Sequence, residues 1–498
     1  MWTTAEPAFV TSVVTVLVAA QPFRGLNLWA LWMVEATERV AAWRRAGGSE
    51  ALGWDPNGVM PFGPMLASAV PGGDGLLGAR VVTAVAAGLL AGLVFAWSRR
   101  VGGRFAGWFS VGALLVMPRF WSAATTPTPT MVAVVGAVAL WVSVGAARRR
   151  PSAAWLSVIA GGLALASGLP AYTAVVPLAW ITFVAPGTVK DGTISLRAVP
   201  LWLLLLPLAW VGVLWVMVAA SGADLVGYFT HMVPFWLELP PEPFLAFGKL
   251  WGVIRMPPWL PAALLGVMTP PAILLGAASY AWVRSQLPGE DRRELLAFWL
   301  WALLLPVILR SVYHGGVDLV LLSGVALALT FGVSVGALLR EASWRPAVLS
   351  VAVAALIVSA SDVARAAHAW EGWRSGLVGG ATGQAMRGTG RYPHGPVPVD
   401  LIAGALDDGA RRVHILTNSW EIRPVFEAYV SKDLLPSDAQ LVSLEEAEVV
   451  LIALDDTLPE LYDVASDWSR FVNSSPSAVD VLEVDGIPLF GVGVIGAR

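Results

Sequence analysis

The sequence contains no cysteine, which removes disulfides, thiol nucleophiles and cysteine-ligated metal together. Charge is scarce as well. Asp, Glu, Lys and Arg supply 13% of the chain, against roughly 25% in a soluble domain. A net charge of −3 leaves no basic excess of the kind that nucleic-acid binding requires. The chain has five histidines. His231 and His314 stand alone in aromatic loops with no third ligand at metal spacing, which argues against a zinc site. What the chain has instead is apolar surface: 56% hydrophobic residues, 25 tryptophans and a mean hydropathy of +0.68. Most of it belongs in lipid.

Crossing a hydrocarbon core takes roughly 20 apolar residues. Eleven stretches qualify, at about 7–22, 76–97, 105–121, 129–147, 153–168, 170–187, 199–220, 260–283, 294–310, 317–339 and 345–361. The first run lacks a basic leader and an A-x-A site, so it reads as a retained span. Cytoplasmic loops collect Lys and Arg. "SRRVGGR" (Arg99, Arg100, Arg104), "ARRRP" (Arg148 to Arg150), "GTVKDGTISLR" (Lys190, Arg197), "VRSQLPGEDRR" (Arg284, Arg292, Arg293) and "LREASWR" (Arg340, Arg345) all fall on one side of the spans. The expectation is a cytoplasmic-membrane protein with its N-terminus inside. Loops 23–75 and 221–259 and everything after residue 361 are then extracytoplasmic.

Loop 23–75 opens with "LNLWALWMVEATERVAAWRRAGG", in which Trp29, Trp32, Met33, Ala36, Val40 and Trp43 recur at helical spacing. This predicts a helix lying in the membrane interface. "GWDPNG" follows, with Asp-Pro and Asn-Gly turn signals. Segment 221–259 is too interrupted by proline to span, and its aromatics suit the headgroup layer. Beyond residue 361 charge rises and apolar runs shorten. "RRVHILTN" and "AEVVLIALDD" read as buried strands that each lead into a helix, and "AVDVLEVDGIPLFGVGVI" reads as a hairpin turning at Asp485-Gly486. The chain thus divides into a transmembrane region, 1–361, and a small soluble α/β domain, 362–498, that lacks a phosphate loop, a metal cluster and a nucleophile elbow.

Taken in order, these features resemble the GT-C membrane glycosyltransferases, in the branch of the protein mannosyltransferases and aminoarabinose transferases. The resemblance rests on the acid-bearing interfacial helix, the Pro-centred turn "VMPFGPML" before a span that begins "GLLGARVVTAVAAGL", and the loop "MPRFWSAATTPTPTMV". It also rests on "RMPPWLPAALLGVMTPPAILL", "YHGGVDLVLLSGVALAL" and the closing "GLVGGATGQA" and "VDGIPLF". It implies a GT-C-like fold of about 11 transmembrane helices and a polyprenyl-phosphate sugar as donor substrate, with no tightly bound cofactor.

Four positions depart from the family pattern. The Asp-Glu pair of the first-loop helix reads Val34-Glu35, the basic residue before the Pro turn is Met60, the acid that ends the Pro-Arg-Phe loop is Thr130, and an expected Arg is Asp318. A sugar transferase needs a carboxylate within reach of the acceptor proton and positive charge on the leaving phosphate. Glu35, helped by Asp55, is the carboxylate the resemblance leaves. Arg80, Arg119, Lys249 and Arg255 are the cations. Each has a plainer reading too. Arg80 and Arg119 also suit headgroup anchors, Glu35 and Glu38 also suit ion pairs with Arg39, Asp55 suits a turn, and Lys249 and Arg255 suit surface charges. Two functions follow: a lipid-linked sugar transferase, or a degenerate paralogue that binds lipid or serves as a subunit beside other membrane proteins.

Overall fold

The computed structural model describes residues 5–48, 52–55, 58–72, 74–149, 152, 154–168, 173, 189–190, 193–194, 201–238, 244–246, 249–251, 257–310, 319–340, 343–370, 373, 395–407, 409–416, 422–453, 478–484 and 487–495. The chain opens with α1 (Ala5–Ala19), β1 (Gly25–Leu26) and α2 (Leu28–Arg45). Then come α3 (Phe62–Ala67), α4 (Gly75–Gly102), α5 (Arg104–Leu115), α6 (Pro118–Thr125), α7 (Thr130–Arg149) and α8 (Ala154–Ser167). The remaining helices of the apolar region are α9 (Leu201–Ala220), α10 (Leu260–Val267), α11 (Pro271–Ala278), α12 (Gly289–Leu309), α13 (Leu319–Leu338) and α14 (Arg345–Ala364).

Among the described residues α4, α7, α13 and α14 are each long and apolar enough to cross a bilayer, and the protein is an integral membrane protein. Burial divides these helices by place. The apolar window of α13 is wholly enclosed by protein, whereas that of α14 is only 17% buried. Val351 and Ile357 of α14 project outward, where lipid is the apolar partner. α13 approaches α5 through small residues. A Cβ added at Gly332 would lie 2.0 Å from the Ser110 hydroxyl, and one at Gly336 would lie 2.7 Å from the Gly102 carbonyl. Such spacing lets two backbones meet where lipid offers no hydrophobic drive. Gly88 and Gly92 of α4 receive Thr15 and Thr11 of α1 in the same way.

Two expected spans and one expected loop differ in form. The stretch 105–121 is two helices, because Pro118 at the start of α6 cannot donate to the preceding turn and holds Met117 extended. The stretch 260–283 breaks at Pro270, between α10 and α11, with a short helix at Tyr280–Val283 beyond. The chain after α9 is helical rather than irregular: Pro207–Ala220 and Leu225–Phe235 meet at a bend of 114°. The stretch 170–187 lies outside the described residues except for Thr173.

Ion pairs gather several Arg-bearing turns at one end of the bundle. Glu6 pairs with Arg99 and Arg104, and Arg100 pairs with Glu294. Gly145 packs against that second pair. The start of α1, the α4–α5 turn, the last turns of α7 and the start of α12 therefore share an end. Gly336 against Gly102 adds the end of α13.

Beyond α14 come β2 (Val397–Pro398), α15 (Val399–Leu406), β3 (Arg412–Ile415), α16 (Ile422–Ser431), β4 (Gln440–Leu441), β5 (Val449–Ala453), β6 (Ala478–Val484) and β7 (Ile487–Val494). Five of these strands form one mixed sheet in the order β6-β7-β5-β3-β4. The hairpin pairs Val484 with Ile487 in antiparallel register. Glu448 ties the starts of β3 and β5 together: it accepts from the backbone N–H groups of Arg411 and Arg412, and the Arg412 side chain donates to it as well. Those three donors hold its carboxyl down at about 2. One face of the sheet carries a small cluster of its own (Leu416, Val450, Ile452), while other residues of this region join the bundle. Leu26, Leu28, Val397, Ile402, Phe426, Tyr429 and Phe490 belong to one apolar cluster continuous with the bundle.

Candidate functional site

Asn27 starts α2 by accepting a hydrogen bond from the Ala30 N–H at 2.8 Å. The helix then buries Leu31, Met33, Val34, Thr37 and Val40. This face is covered by α3, α4 and α16, so the interfacial helix expected from the Trp stripe is clamped between protein elements. Trp29 and Trp32 meet edge to face at its margin, half-buried. Gly63 of α3 abuts Met33 and Val132 of α7. Gly75 of α4 abuts Glu38 and the Val34 carbonyl. Small residues thus bring α3 and the start of α4 against the buried side of α2.

On the outer side of α2 Glu35 is exposed, and it makes no hydrogen bond or ion pair among the described residues. Partial burial pushes its carboxyl above the ordinary value. The Lys432 and Arg39 cations offset part of this, and Glu38 adds to it. The pairing expected around it is different in the structure. Arg39 pairs with Asp55 rather than with either glutamate, and Glu38 pairs with Lys432 beyond α16. Asp55 does close a turn, with its carbonyl accepting from the Gly58 N–H at 3.1 Å. Its side chain is also 6% exposed and joined to Arg39, beside a cavity of about 30 Å³ lined by Ala36, Val40, Trp54 and Ser221. That space suits roughly one water. Among the described carboxylates of this loop, Glu35 is thus exposed and unpaired, Glu38 is paired with Lys432, and Asp55 is sequestered.

Arg80 is half-buried on α4. It donates to the Gln21 carbonyl at 3.1 Å and lies over the Phe23 ring at 5.3 Å. Arg119, on the first turn of α6, is 6% exposed, with its Nε 3.3 Å from the Met268 sulfur. "MPRFW" and "VMTPP", distant in sequence, therefore meet. Thr130, where the resemblance expects an acid, is the buried first residue of α7, and Val34 and Met60 are buried too. His231 is exposed and contacts the Thr230 hydroxyl. The Lys249 side chain, Arg255, His314 and Asp318 lie outside the described residues. Among those that are described, no three His, Asp or Glu side chains gather as a metal site.

Sequence reasoning missed Arg24, a third guanidinium near this site. It donates to the Ala367 carbonyl and lies over the Trp370 ring at 5.0 Å, while Trp370 stacks on Trp121 at 5.8 Å. First loop, second loop and the segment after α14 are thereby tied together. An arginine directly after the first span, in "QPFRGLN", was the available signal.

No family model matches the sequence, and no curated protein matches it. Solved structures do. The oligosaccharyltransferase of Archaeoglobus fulgidus superposes with a TM-score of 0.50 at 12% identity, over 91% of this chain and 68% of that one. ArnT from Cupriavidus metallidurans bound to undecaprenyl phosphate gives 0.43 at 15% identity, over 98% of both chains. Arabinofuranosyltransferase AftD from Mycobacteria gives 0.44 at 15% identity, over 99% of this chain and 40% of that one. The chain has a GT-C-like fold.

Proposed function

We propose that this protein transfers a sugar from a polyprenyl-phosphate donor to an acceptor hydroxyl on the extracytoplasmic face of the cytoplasmic membrane, with Glu35 as general base. The observation that carries this reading is Glu35 itself: an exposed carboxylate, unpaired among the described residues, with a raised proton affinity. It stands on a helix clamped beside the start of α4, the helix that carries Arg80. The donor class follows from the sequence resemblance. In the step proposed, the Glu35 carboxylate takes the acceptor hydroxyl proton as the acceptor oxygen bonds to the anomeric carbon. The bond from that carbon to the phosphate oxygen breaks, and its electron pair leaves with the polyprenyl phosphate. A base whose proton affinity lies nearer neutrality is better matched to this work than an ordinary carboxylate. Arg80 and Arg119 are the cations proposed for the leaving phosphate.

One observation favours a second reading, that of a degenerate subunit which keeps a lipid groove without chemistry. Val34 and Thr130, where the resemblance expects acids, are buried, and Asp55 is tied to Arg39. Reconstituted protein supplied with a polyprenyl-phosphate sugar and an extract of the native membranes as the source of acceptor hydroxyls separates the two. The transferase reading expects release of polyprenyl phosphate, slowed by about 10²–10⁴-fold in Glu35→Gln with folding retained. Donor binding with no release in the wild-type protein would establish the subunit reading instead.

A further inference from the structure

At the Arg-rich end of the bundle, opposite the site just described, the α4–α5 turn, the end of α13 and the start of α14 line a cleft of about 520 Å³; Glu341, between the last two, lies outside the described residues. This lies within the range of small-ligand sites. Its walls are apolar (Phe105, Leu339, Leu349), and its rim carries Arg104, Arg340 and Arg345. Arg104 shares its charge with Glu6 at 2.6 Å. Arg345 spends only its Nε, donating to the Leu339 carbonyl at 2.6 Å. Arg340 is exposed and makes no hydrogen bond or ion pair among the described residues. The 12-residue α5 and the 20-residue α14 both begin at this rim, with no acidic residue in either first turn. Unsatisfied backbone N–H groups therefore add to the positive field. Phe105 is 55% and Trp344 64% exposed, as aromatic anchors at a headgroup layer are.

We infer that this cleft is a binding site for one anionic phospholipid, its phosphate seated between Arg340 and Arg345 and its acyl chains running along the apolar wall toward α14. Charge and depth together select this occupant. The cations lie at the ends of apolar helices, where lipid phosphates concentrate, and the apolar floor gives a free phosphate nothing to bury. Basic pockets between helices recognise anionic headgroups in this way. The site is separate from the transfer reaction and does not depend on it.

The test is native mass spectrometry of the full-length protein in detergent, titrated in turn with phosphatidylglycerol, phosphatidylcholine and inorganic phosphate. One phosphatidylglycerol should bind in clear preference to phosphatidylcholine. Removing a headgroup cation costs about fivefold in affinity, so Arg340→Gln should weaken binding about fivefold and Arg340→Gln with Arg345→Gln about thirtyfold. Arg340→Lys, which keeps the charge, should bind close to wild type. The single variant guards against the double one disturbing the α13–α14 turn. Equal binding of the two lipids, unchanged binding in both Gln variants, or inorganic phosphate held as tightly as the lipid would each overturn the inference.

Discussion

Arg39 and Asp55 show how one side chain's partner decides what its neighbour can do. A carboxylate that is 6% exposed must find a cation or hydrogen bonds, because an isolated buried charge is costly. With Asp55 taking Arg39, Glu35 keeps no close partner among the described residues and stays exposed. Breaking a fully buried pair costs roughly 3–5 kcal/mol, but Arg39 is itself 41% exposed. We therefore expect Arg39→Met to destabilise the protein by about 1–3 kcal/mol, read as a lower Tm in detergent. Arg39→Met combined with Asp55→Leu should recover part of that loss, because the carboxylate that has lost this cation goes too. A double variant no more stable than the single one would mean that Asp55 is satisfied by something other than Arg39. None of this pairing was legible in the sequence. Turn chemistry revealed the Asp-Pro bend, and helical spacing offered Glu35 and Glu38 as partners for Arg39. Only the path of the loop decides which acid reaches it.

At the scale of helices, most of the pattern was readable because composition and length dictate it. The apolar stretches that are described form helices, the hairpin pairs Val484 with Ile487 on either side of the expected turn, and the strand segments at 411–418 and 447–456 contain β3 and β5. Proline was underweighted. Pro118 and Pro270 sit inside otherwise apolar runs, and each ends a helix that hydropathy alone would continue. Which spans lie inside the bundle was also hidden, since a lipid-facing and a protein-facing apolar helix read alike. Glycine spacing carries that information: Gly332 and Gly336, four apart, mark the side of α13 that meets α5. A methyl at Gly332 would stand 2.0 Å from the Ser110 hydroxyl and 2.4 Å from the Ala106 carbonyl, whereas one at Gly266 in α10 meets nothing within 4 Å. Gly332→Ala should therefore cost about 1–3 kcal/mol through overpacking, and Gly266→Ala should hold or raise Tm because Ala favours helix. Equal melting of the two variants would show that α5 and α13 do not meet through these glycines.

At the scale of the whole molecule, the C-terminal region reaches back to the first loop, across the compositional boundary at residue 361. β1 pairs with β2 in antiparallel register. The fully buried Tyr429 hydroxyl donates to the Val397 carbonyl at 2.7 Å and accepts from the Leu26 N–H. Two-residue strands carry almost no sequence signal, so the sequence held no trace of this junction. Its consequence is electrostatic. It brings Lys432 to Glu38 and into the field of Glu35, whose carboxyl burial raises and Lys432 lowers. A carboxyl raised in the folded state contributes stability that is fully present below its unfolded value and is lost as pH rises through its folded value. As the proposed base, Glu35 would work only when deprotonated, so the acid limb of sugar transfer should lie above the ordinary carboxylate value. Lys432→Met removes a cation that favours the anion, and should move that limb to higher pH. Glu38→Gln removes a like charge, and should move it to lower pH. The pH profile of polyprenyl-phosphate release in the two variants reads both shifts, and opposite signs are required. Shifts of the same sign, or none, would disconnect the C-terminal sheet from the carboxylate and leave its docking purely structural.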